Sequence, residues 1–160
     1  MQWMITGGAR SGKSTYAEQL ASEVGQKIGY IATAIPTDSD MADRIKKHQL
    51  SRPAHWKTFE YYKDFSRLVD DPDFATTDTF LLDCVTILVT NLMFDTPDQG
   101  EPLDFDTCSL EAVSLVEARI HQVIDQLVAL MHQHQKHLIL VTNEVGLGLV
   151  PAYRLGNLFR

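Results

Sequence analysis

The sequence contains few cysteines and no long apolar run. Its two cysteines, Cys84 and Cys108, have neither disulfide nor metal-ligand spacing, so we predict that both are reduced packing residues. The most apolar run, FLLDCVTILV, is interrupted by Asp83 and is too short to cross a bilayer, which argues against a membrane span. Because Met1 leads almost directly into a strand-like segment, we also expect no signal peptide and a cytoplasmic location.

Positive charge is also scarce. The chain has 14 Lys and Arg against 21 Asp and Glu, for a formal net charge of -7. Proteins that bind nucleic acid generally carry a basic face, so we predict no nucleic-acid partner. The sequence has no internal repeat or low-complexity tract, and its 160 residues suffice for one domain but not comfortably for two. We therefore expect a single domain over residues 1–160.

Strand-like apolar segments alternate with segments of helical pattern. Because buried parallel strands are apolar throughout and are connected by helices, the alternation predicts an α/β fold with a mainly parallel central sheet. The predicted strands are QWMIT, KIGYIATA, HWKTFEYY, TFLLDCV and HLILVTNEV. The predicted helices are KSTYAEQLASEV, MADRIKKHQL, FSRLV and one long helix from Asp104 to about Gln135, with a loop from Thr96 to Leu103.

The segment GGARSGKS, Gly7 to Ser14, matches the phosphate-loop pattern G-x-x-x-x-G-K-[ST] between a strand and a helix. Its glycines allow the backbone to turn so that successive N–H groups surround an anion, and the following helix adds its positive end. Lys13 adds a full charge at the β- and γ-phosphates, and Ser14 supplies a hydroxyl for Mg²⁺. A chance glycine-rich turn would lack the matching flanks. The residues predicted to bind a nucleoside triphosphate here are Gly7, Gly8, Ala9, Arg10, Ser11, Gly12, Lys13, Ser14 and Thr15.

Asp83 closes the apolar strand TFLLD. An aspartate in this position suits the Walker-B role, in which the carboxylate holds Mg²⁺ directly or through water. The alternative is a cap for the following helix. We predict that Asp83 and Ser14 form the magnesium site.

His48 lies in the segment DMADRIKKHQLSRPAHW, among the cations between Arg44 and Arg52. Positive neighbours disfavour protonation, so the imidazole should be largely neutral at pH 7. A neutral imidazole near a nucleotide is suited to attack phosphorus while the cations hold the phosphate oxygens. A lone helical histidine is more often a surface or packing residue, so residue chemistry by itself leaves both roles open.

Five segments, in this order and at these separations, resemble one enzyme family: TGGARSGKS, YIATA, DMADRIKKHQLSRPAHW, LLDCVTILVTNL and LVTNEVGLGLVP. The family is the bifunctional adenosylcobinamide kinase/adenosylcobinamide-phosphate guanylyltransferase of cobalamin biosynthesis, and the resemblance runs from Met4 to Arg160. It implies a P-loop NTPase (RecA-like) fold of three layers. Relatives continue beyond the position matching Arg160 with more helix and strand, so the resemblance implies a sheet that lacks those elements here.

The resemblance implies two reactions. A nucleoside triphosphate phosphorylates the aminopropanol hydroxyl of adenosylcobinamide, and GTP then transfers GMP to that phosphate and releases pyrophosphate. The family's guanylylated histidine matches His48, with His55 as the competing candidate. Whether ATP or GTP donates the phosphate stays open, and the family implies a homo-oligomer, a trimer. The alternatives are a simple small-molecule kinase or an inactive nucleotide-binding protein.

Further site residues follow from the same resemblance. Glu60 matches a position that contacts the nucleotide, and its carboxylate can accept from N1–H and N2–H₂ of guanine; the alternative is a solvated strand carboxylate. Glu144 is a candidate for orienting the acceptor hydroxyl or a magnesium-bound water, and equally for capping the next turn. The remaining nucleotide neighbours that the resemblance implies are Thr33, Gln49, Leu50, Ser51 and Arg52.

Overall fold

The computed structural model describes residues 1–35, 45, 52–95, 102–148 and 150–160. In these residues the centre of the fold is a five-stranded sheet with the order β1-β5-β4-β2-β3, in which every neighbouring pair is parallel. The predicted α/β fold with a parallel sheet is therefore confirmed. The strands are β1 (Gln2–Gly7), β2 (Ile28–Ala32), β3 (Lys57–Glu60), β4 (Thr79–Asp83) and β5 (His137–Asn143).

Helices cover both faces of the sheet. Alternate residues of β5 show the division, because successive side chains of a strand point to opposite faces. Ile139 and Val141 pack with buried alanines of the first helix, whereas Leu138 packs with Leu127 and Met131 of the long helix. The helices are α1 (Lys13–Val24), α2 (Val85–Phe94), α3 (Leu110–Gln133) and α4 (Arg154–Phe159), with a short 3-10 helix at Phe65–Asp70. The result is three layers, as expected.

Several predicted strands extend beyond the observed ones; HWKTFEYY, for example, is a strand only at Lys57–Glu60. The predicted boundary is also wrong at the start of two helices. The long helix begins at Leu110 and not at Asp104, because the Asp104 carboxylate accepts from the Asp106 N–H (3.0 Å) and the Thr107 hydroxyl (2.8 Å) and so forms a turn. Ser109 then caps α3 by accepting from the Ala112 N–H at 3.1 Å.

The second correction concerns the strand TFLLDCV. It ends at Asp83, and Val85 is the first residue of α2. Of the helix predicted over MADRIKKHQL, only Ile45 is described, and it is helical; most of the predicted loop after Thr96 also lies outside the described residues. No helix in the described ranges has the length and apolarity needed to span a membrane.

The last described helix returns to the α2–α3 side of the molecule. Leu155, Leu158 and Phe159 of α4 pack against a buried cluster that contains Met93 and Phe105. The Arg154 guanidinium donates to the Cys108 carbonyl at 2.6 Å. These contacts place the chain after β5 over the connection between α2 and α3.

Asp78 ties the α1–β2 turn to the start of β4. Its carboxylate accepts from the N–H groups of Gln26 (3.0 Å) and Lys27 (3.0 Å) and from the Thr79 hydroxyl (2.8 Å). Burial by itself would raise the pKa of Asp78, but these hydrogen bonds outweigh burial and the pKa lies below its ordinary value. A lowered pKa in the folded state stabilises the protein above the unfolded-state pKa, and that stability is lost as pH falls through the folded-state value.

We therefore expect Asp78→Asn to lower the free energy of unfolding at pH 7 by about 1–2 kcal/mol, the scale of hydrogen bonds to a charged group. The difference from the wild-type protein should shrink below about pH 4, where the carboxylate becomes protonated. Urea unfolding at pH 7 and pH 3 measures both values. Asp125→Asn, on the exposed side of α3, is the control for loss of one negative charge. An equal destabilisation by Asp78→Asn at both pH values would contradict this account.

Candidate functional site

The phosphate loop connects β1 with α1. Gly12 has a left-handed backbone with φ of 85°, and Arg10 is also left-handed with φ of 57°. Because Gly12 stands immediately before α1 and has no side chain to cap it, the first-turn N–H groups remain for an anion. The loop thus has the geometry that its sequence predicts for phosphate binding.

Side chains inside the loop keep it compact. The Lys13 ammonium donates to the Gly8 carbonyl at 3.1 Å, which places its charge over the loop. A Cβ built at Gly7 would lie 2.8 Å from the Ser11 hydroxyl oxygen, so any larger residue at position 7 would require the Ser11 side chain to rotate away. The predicted cationic and glycine positions are therefore brought together.

The carboxyl ends of all five strands meet at one edge of the sheet, since the strands are parallel. In the register of the ladder, Gly7 pairs with Asn143 and Asp83 pairs with Val141. Only β5 separates β1 from β4, so Asp83 lies about 10 Å across the sheet from β1 at the usual strand spacing. Thr33 and Glu144 follow β2 and β5 at the same edge, and Glu60 is the last residue of β3. Ligands of open α/β sheets bind at this edge.

Asp83 and Ser14 present oxygen atoms at this edge. Within the described ranges, neither the Asp83 carboxylate nor the Ser14 hydroxyl has a hydrogen-bond partner, whereas the Asp83 main-chain carbonyl accepts from Tyr30 at 2.9 Å. The same ranges contain no group of three or more His, Cys, Asp or Glu side chains placed to hold a metal.

Thr33 secures the end of β2 to the start of α2. Its hydroxyl donates to the Cys84 carbonyl at 3.3 Å, and the Asn91 side-chain amide donates to the Thr33 carbonyl. Thr33 is buried, and burial also raises the pKa of the Cys84 thiol, in keeping with a reduced packing residue. The Thr33 hydroxyl is therefore already bonded to main chain, and its predicted contact with a nucleotide stays a prediction.

Arg52 is the described cation nearest in sequence to His48. Its guanidinium carbon lies 3.2 Å from the centroid of the Tyr30 ring, a cation–π contact. Burial lowers the pKa of Arg52, and the nearby Tyr30, Glu18 and Asp83 oppose that shift. The guanidinium thus sits beside the strand end that carries Asp83. Tyr30 was not among the predicted site residues, since the sequence shows it only as a hydroxyl-bearing side chain within an otherwise apolar strand.

Two acidic candidates differ in their contacts. Glu60 ends β3 and is exposed, with no described partner. Glu144 accepts from the N–H groups of Gly146 (2.6 Å) and Leu147 (3.1 Å), and its own N–H donates to the Gly7 carbonyl at 3.0 Å. The turn-capping alternative is therefore what the Glu144 side chain does, and a role toward an acceptor stays a prediction.

The two histidine candidates are placed differently. His55 is described, and it is exposed in the turn before β3. The predicted nucleophile and three predicted nucleotide neighbours lie outside the described residues: His48, Gln49, Leu50 and Ser51.

We expect Gly12→Ala to weaken triphosphate binding about tenfold. A Cβ at Gly12 would meet no heavy atom within 4 Å, so the penalty comes from the left-handed backbone alone, which costs about 1–2 kcal/mol for other residues. Titration with a fluorescent ATP analogue measures the dissociation constant. Gly148→Ala is the matched control, since that glycine has open space and no left-handed φ. An unchanged dissociation constant for Gly12→Ala would contradict the requirement for glycine.

Comparison with known proteins identifies relatives along the whole chain. The bifunctional adenosylcobalamin biosynthesis protein CobU of Salmonella typhimurium is 41% identical over 160 residues, covering 100% of this chain and 84% of the relative. CobU of Escherichia coli is 40% identical with the same coverage. CobP of Pseudomonas aeruginosa is 38% identical over 161 residues, covering 100% of this chain and 79% of its own. The model of the cobinamide kinase / cobinamide phosphate guanyltransferase family matches residues 3–160. The chain belongs to this family.

Proposed function

We propose that this protein phosphorylates adenosylcobinamide with a nucleoside triphosphate and then transfers GMP from GTP to the resulting phosphate, with release of pyrophosphate. The observation that carries the proposal is the complete phosphate loop at the sheet edge that also bears Asp83, in a chain whose family is named for both activities. The relatives are named as bifunctional enzymes of adenosylcobalamin biosynthesis.

In the kinase reaction, the loop N–H groups and Lys13 bind the β- and γ-phosphates. The acceptor hydroxyl attacks the γ-phosphorus, the bond from the γ-phosphorus to the bridging oxygen breaks, and the hydroxyl proton is released. Charge that accumulates on the phosphate oxygens is stabilised by the Lys13 ammonium and the helix terminus, which are positioned before the reaction begins. ATP and GTP both satisfy these contacts, because they are made to phosphate alone.

Ser14 and Asp83 fit a magnesium ion. Both side chains offer oxygen, and neither side chain has a hydrogen-bond partner among the described residues. The same residues contain no group of three or more His, Cys, Asp or Glu placed to hold a metal. This small oxygen donor set suits Mg²⁺, which keeps several waters and also binds phosphate. When bound, Mg²⁺ neutralises charge on the phosphate oxygens.

In the guanylyl transfer, we assign the nucleophile to His48. One imidazole nitrogen attacks the α-phosphorus of GTP, and pyrophosphate leaves with the electrons of the broken phosphorus–oxygen bond. The phosphate of adenosylcobinamide phosphate then attacks the same phosphorus, and the histidine is regenerated. A neutral imidazole avoids the repulsion that two anions would meet in a direct reaction. In support, Arg52, four residues after His48, is held beside the strand end of Asp83.

Glu60 is the residue that we propose for guanine. It is exposed at the end of β3, paired in register with Ala32 of β2, and so stands at the nucleotide edge. Its carboxylate can accept two hydrogen bonds from guanine that adenine cannot supply. Thr33, Gln49, Leu50 and Ser51 are the further nucleotide neighbours that the family resemblance suggests.

The location and the partners of this protein are also proposed. We propose a cytoplasmic location, the corrinoid and the nucleotides as its partners, and a homo-oligomer, a trimer as the resemblance implies. The formal net charge of -7 supports the absence of a nucleic-acid partner.

The assignment of His48 predicts that His48→Asn abolishes labelling of the protein by α-labelled GTP and Mg²⁺. The wild-type protein should retain an acid-labile label on a denaturing gel, because a phosphoramidate is covalent. His55→Asn is the control and should keep the label. A labelled His48→Asn protein would place the nucleophile elsewhere. Transfer of γ-label to cobinamide with no label on protein would indicate a simple kinase, and nucleotide binding with neither product would indicate an inactive protein.

The magnesium site predicts that Asp83→Asn lowers the kinase rate about 100-fold, since metal stabilisation of the transition state is worth several kcal/mol. The rate should also require higher Mg²⁺ concentrations, which a magnesium titration at saturating nucleotide measures. Asp73→Asn removes an equal charge at the opposite edge of the sheet, where Asp73 pairs with Lys57 at 3.1 Å, and should leave the titration unchanged. An Asp83→Asn protein with wild-type magnesium dependence would remove Asp83 from the site.

A further inference from the structure

Tyr30 holds the guanidinium of Arg52 against its ring face. The guanidinium carbon lies 3.2 Å from the ring centroid, so the planar cation and the ring are in contact over the face. Arginine favours this stacked arrangement because its charge is delocalised and weakly hydrated. The position of the guanidinium therefore depends on the position of the Tyr30 ring.

The Tyr30 ring is itself fixed from several sides. It lies in β2, between Leu81 of β4 and Thr58 of β3 in the register of the sheet, and only 5% of its surface is exposed. It belongs to the buried cluster that includes Ala17 of α1 and Trp56.

The hydroxyl of Tyr30 gives a further fixed point. It donates to the Asp83 carbonyl at 2.9 Å. The Tyr30 ring is therefore held both by the packing around it and by the hydrogen bond of its hydroxyl to the end of β4.

One nitrogen of the stacked Arg52 guanidinium lacks a hydrogen bond within the described residues. This nitrogen is Nη1, and it is buried. Buried donors without partners are costly because they lose their bonds to water. Arg119 and Arg154 each have one such unpaired nitrogen too, but both donate their other hydrogen bonds to main-chain carbonyls near α2 and α3. Arg52 differs because it lies beside the strand end of Asp83. An unpaired cationic donor beside the strand end of Asp83 is the arrangement expected when the missing partner is an anionic ligand.

We propose that Tyr30 is a positioning residue, which holds the Arg52 guanidinium so that Nη1 donates to a phosphate oxygen of GTP during guanylyl transfer. The inference rests on the proposed function, since GTP is the nucleotide concerned. The donor stabilises charge on the phosphate oxygens as the bond to the departing pyrophosphate breaks. Tyr30 does not touch the nucleotide and acts only through Arg52.

A double-mutant cycle tests this dependence. Tyr30→Leu should slow labelling of the protein by α-labelled GTP at least tenfold at saturating GTP, while Tyr30→Phe, which keeps the ring face, should retain most of the rate. Arg52→Met should be slower still, and the combination with Tyr30→Leu should be no slower than Arg52→Met alone. If Tyr30→Leu slows labelling equally in both backgrounds, the two residues act independently and the proposal is overturned.

A second measurement leaves Tyr30 untouched and so does not depend on how Tyr30→Leu folds. Arg52→Ala should recover part of its labelling rate when millimolar guanidinium ion is added, because the free ion can stack on the exposed ring. Ethylammonium at the same concentration should not restore the rate, since it is not planar. Equal responses to the two ions, or none to guanidinium, would overturn the proposal.

Phe74→Leu is the control for lost aromatic packing. Phe74 is also a buried ring beneath a cation, with the Lys136 ammonium 5.3 Å from its centroid, but it precedes β4 at the other edge of the sheet. Thermal unfolding should show that Phe74→Leu is destabilised while its labelling rate is unchanged. A comparable loss of labelling in Phe74→Leu would mean that the Tyr30→Leu effect is general destabilisation. A wild-type protein that takes no label overturns the proposed function itself, whereas a labelled wild-type protein with unaffected Tyr30→Leu overturns only this inference.

Discussion

Parallel pairing of β1, β5 and β4 is the constraint on which the candidate site depends. It brings the phosphate loop and Asp83 to one edge of the sheet, although they are separated by most of α1, β2 and β3 in sequence. Parallel strands need helical crossovers, and these crossovers cover both faces. The side chains in the middle of the sheet are therefore mainly apolar, and the polar residues of the candidate site occur where the strands end.

The end of β4 is held by side chains from neighbouring strands and from α2. Tyr30 and Thr33 donate to the consecutive carbonyls of Asp83 and Cys84, and the Thr86 hydroxyl accepts from the Asn143 N–H at 3.0 Å. Each such bond contributes only about 1 kcal/mol, but together they restrict the main chain around Asp83. A carboxylate binds a ligand with a defined geometry only if its main chain is held in place, and these bonds hold the main chain of Asp83.

Sequence patterns predicted the parts of this protein that obey local rules. The phosphate loop needs glycines at set spacings, and buried parallel strands need continuous apolar runs, so both could be predicted from the sequence. The start of α3 could not, because apolar spacing by itself does not fix where a helix begins. The Asp104 turn and the Ser109 cap set that start at Leu110. Local side-chain hydrogen bonds overrode periodicity there.

The candidate site divides in the same way. The sequence by itself determined the phosphate-loop motif and the apolar strand that Asp83 ends. The Walker-B role of Asp83 and, through family resemblance, the chemistry expected of His48 stay predictions. Only the tertiary structure showed that Tyr30 stacks on Arg52, because this contact joins a strand and a loop that are distant in sequence. It also showed that the Glu144 carboxylate accepts from the N–H groups of its own turn, two and three residues ahead. A stacking partner leaves no spacing in a sequence, and a carboxylate at a strand end can turn toward a ligand or toward its own backbone with equal ease.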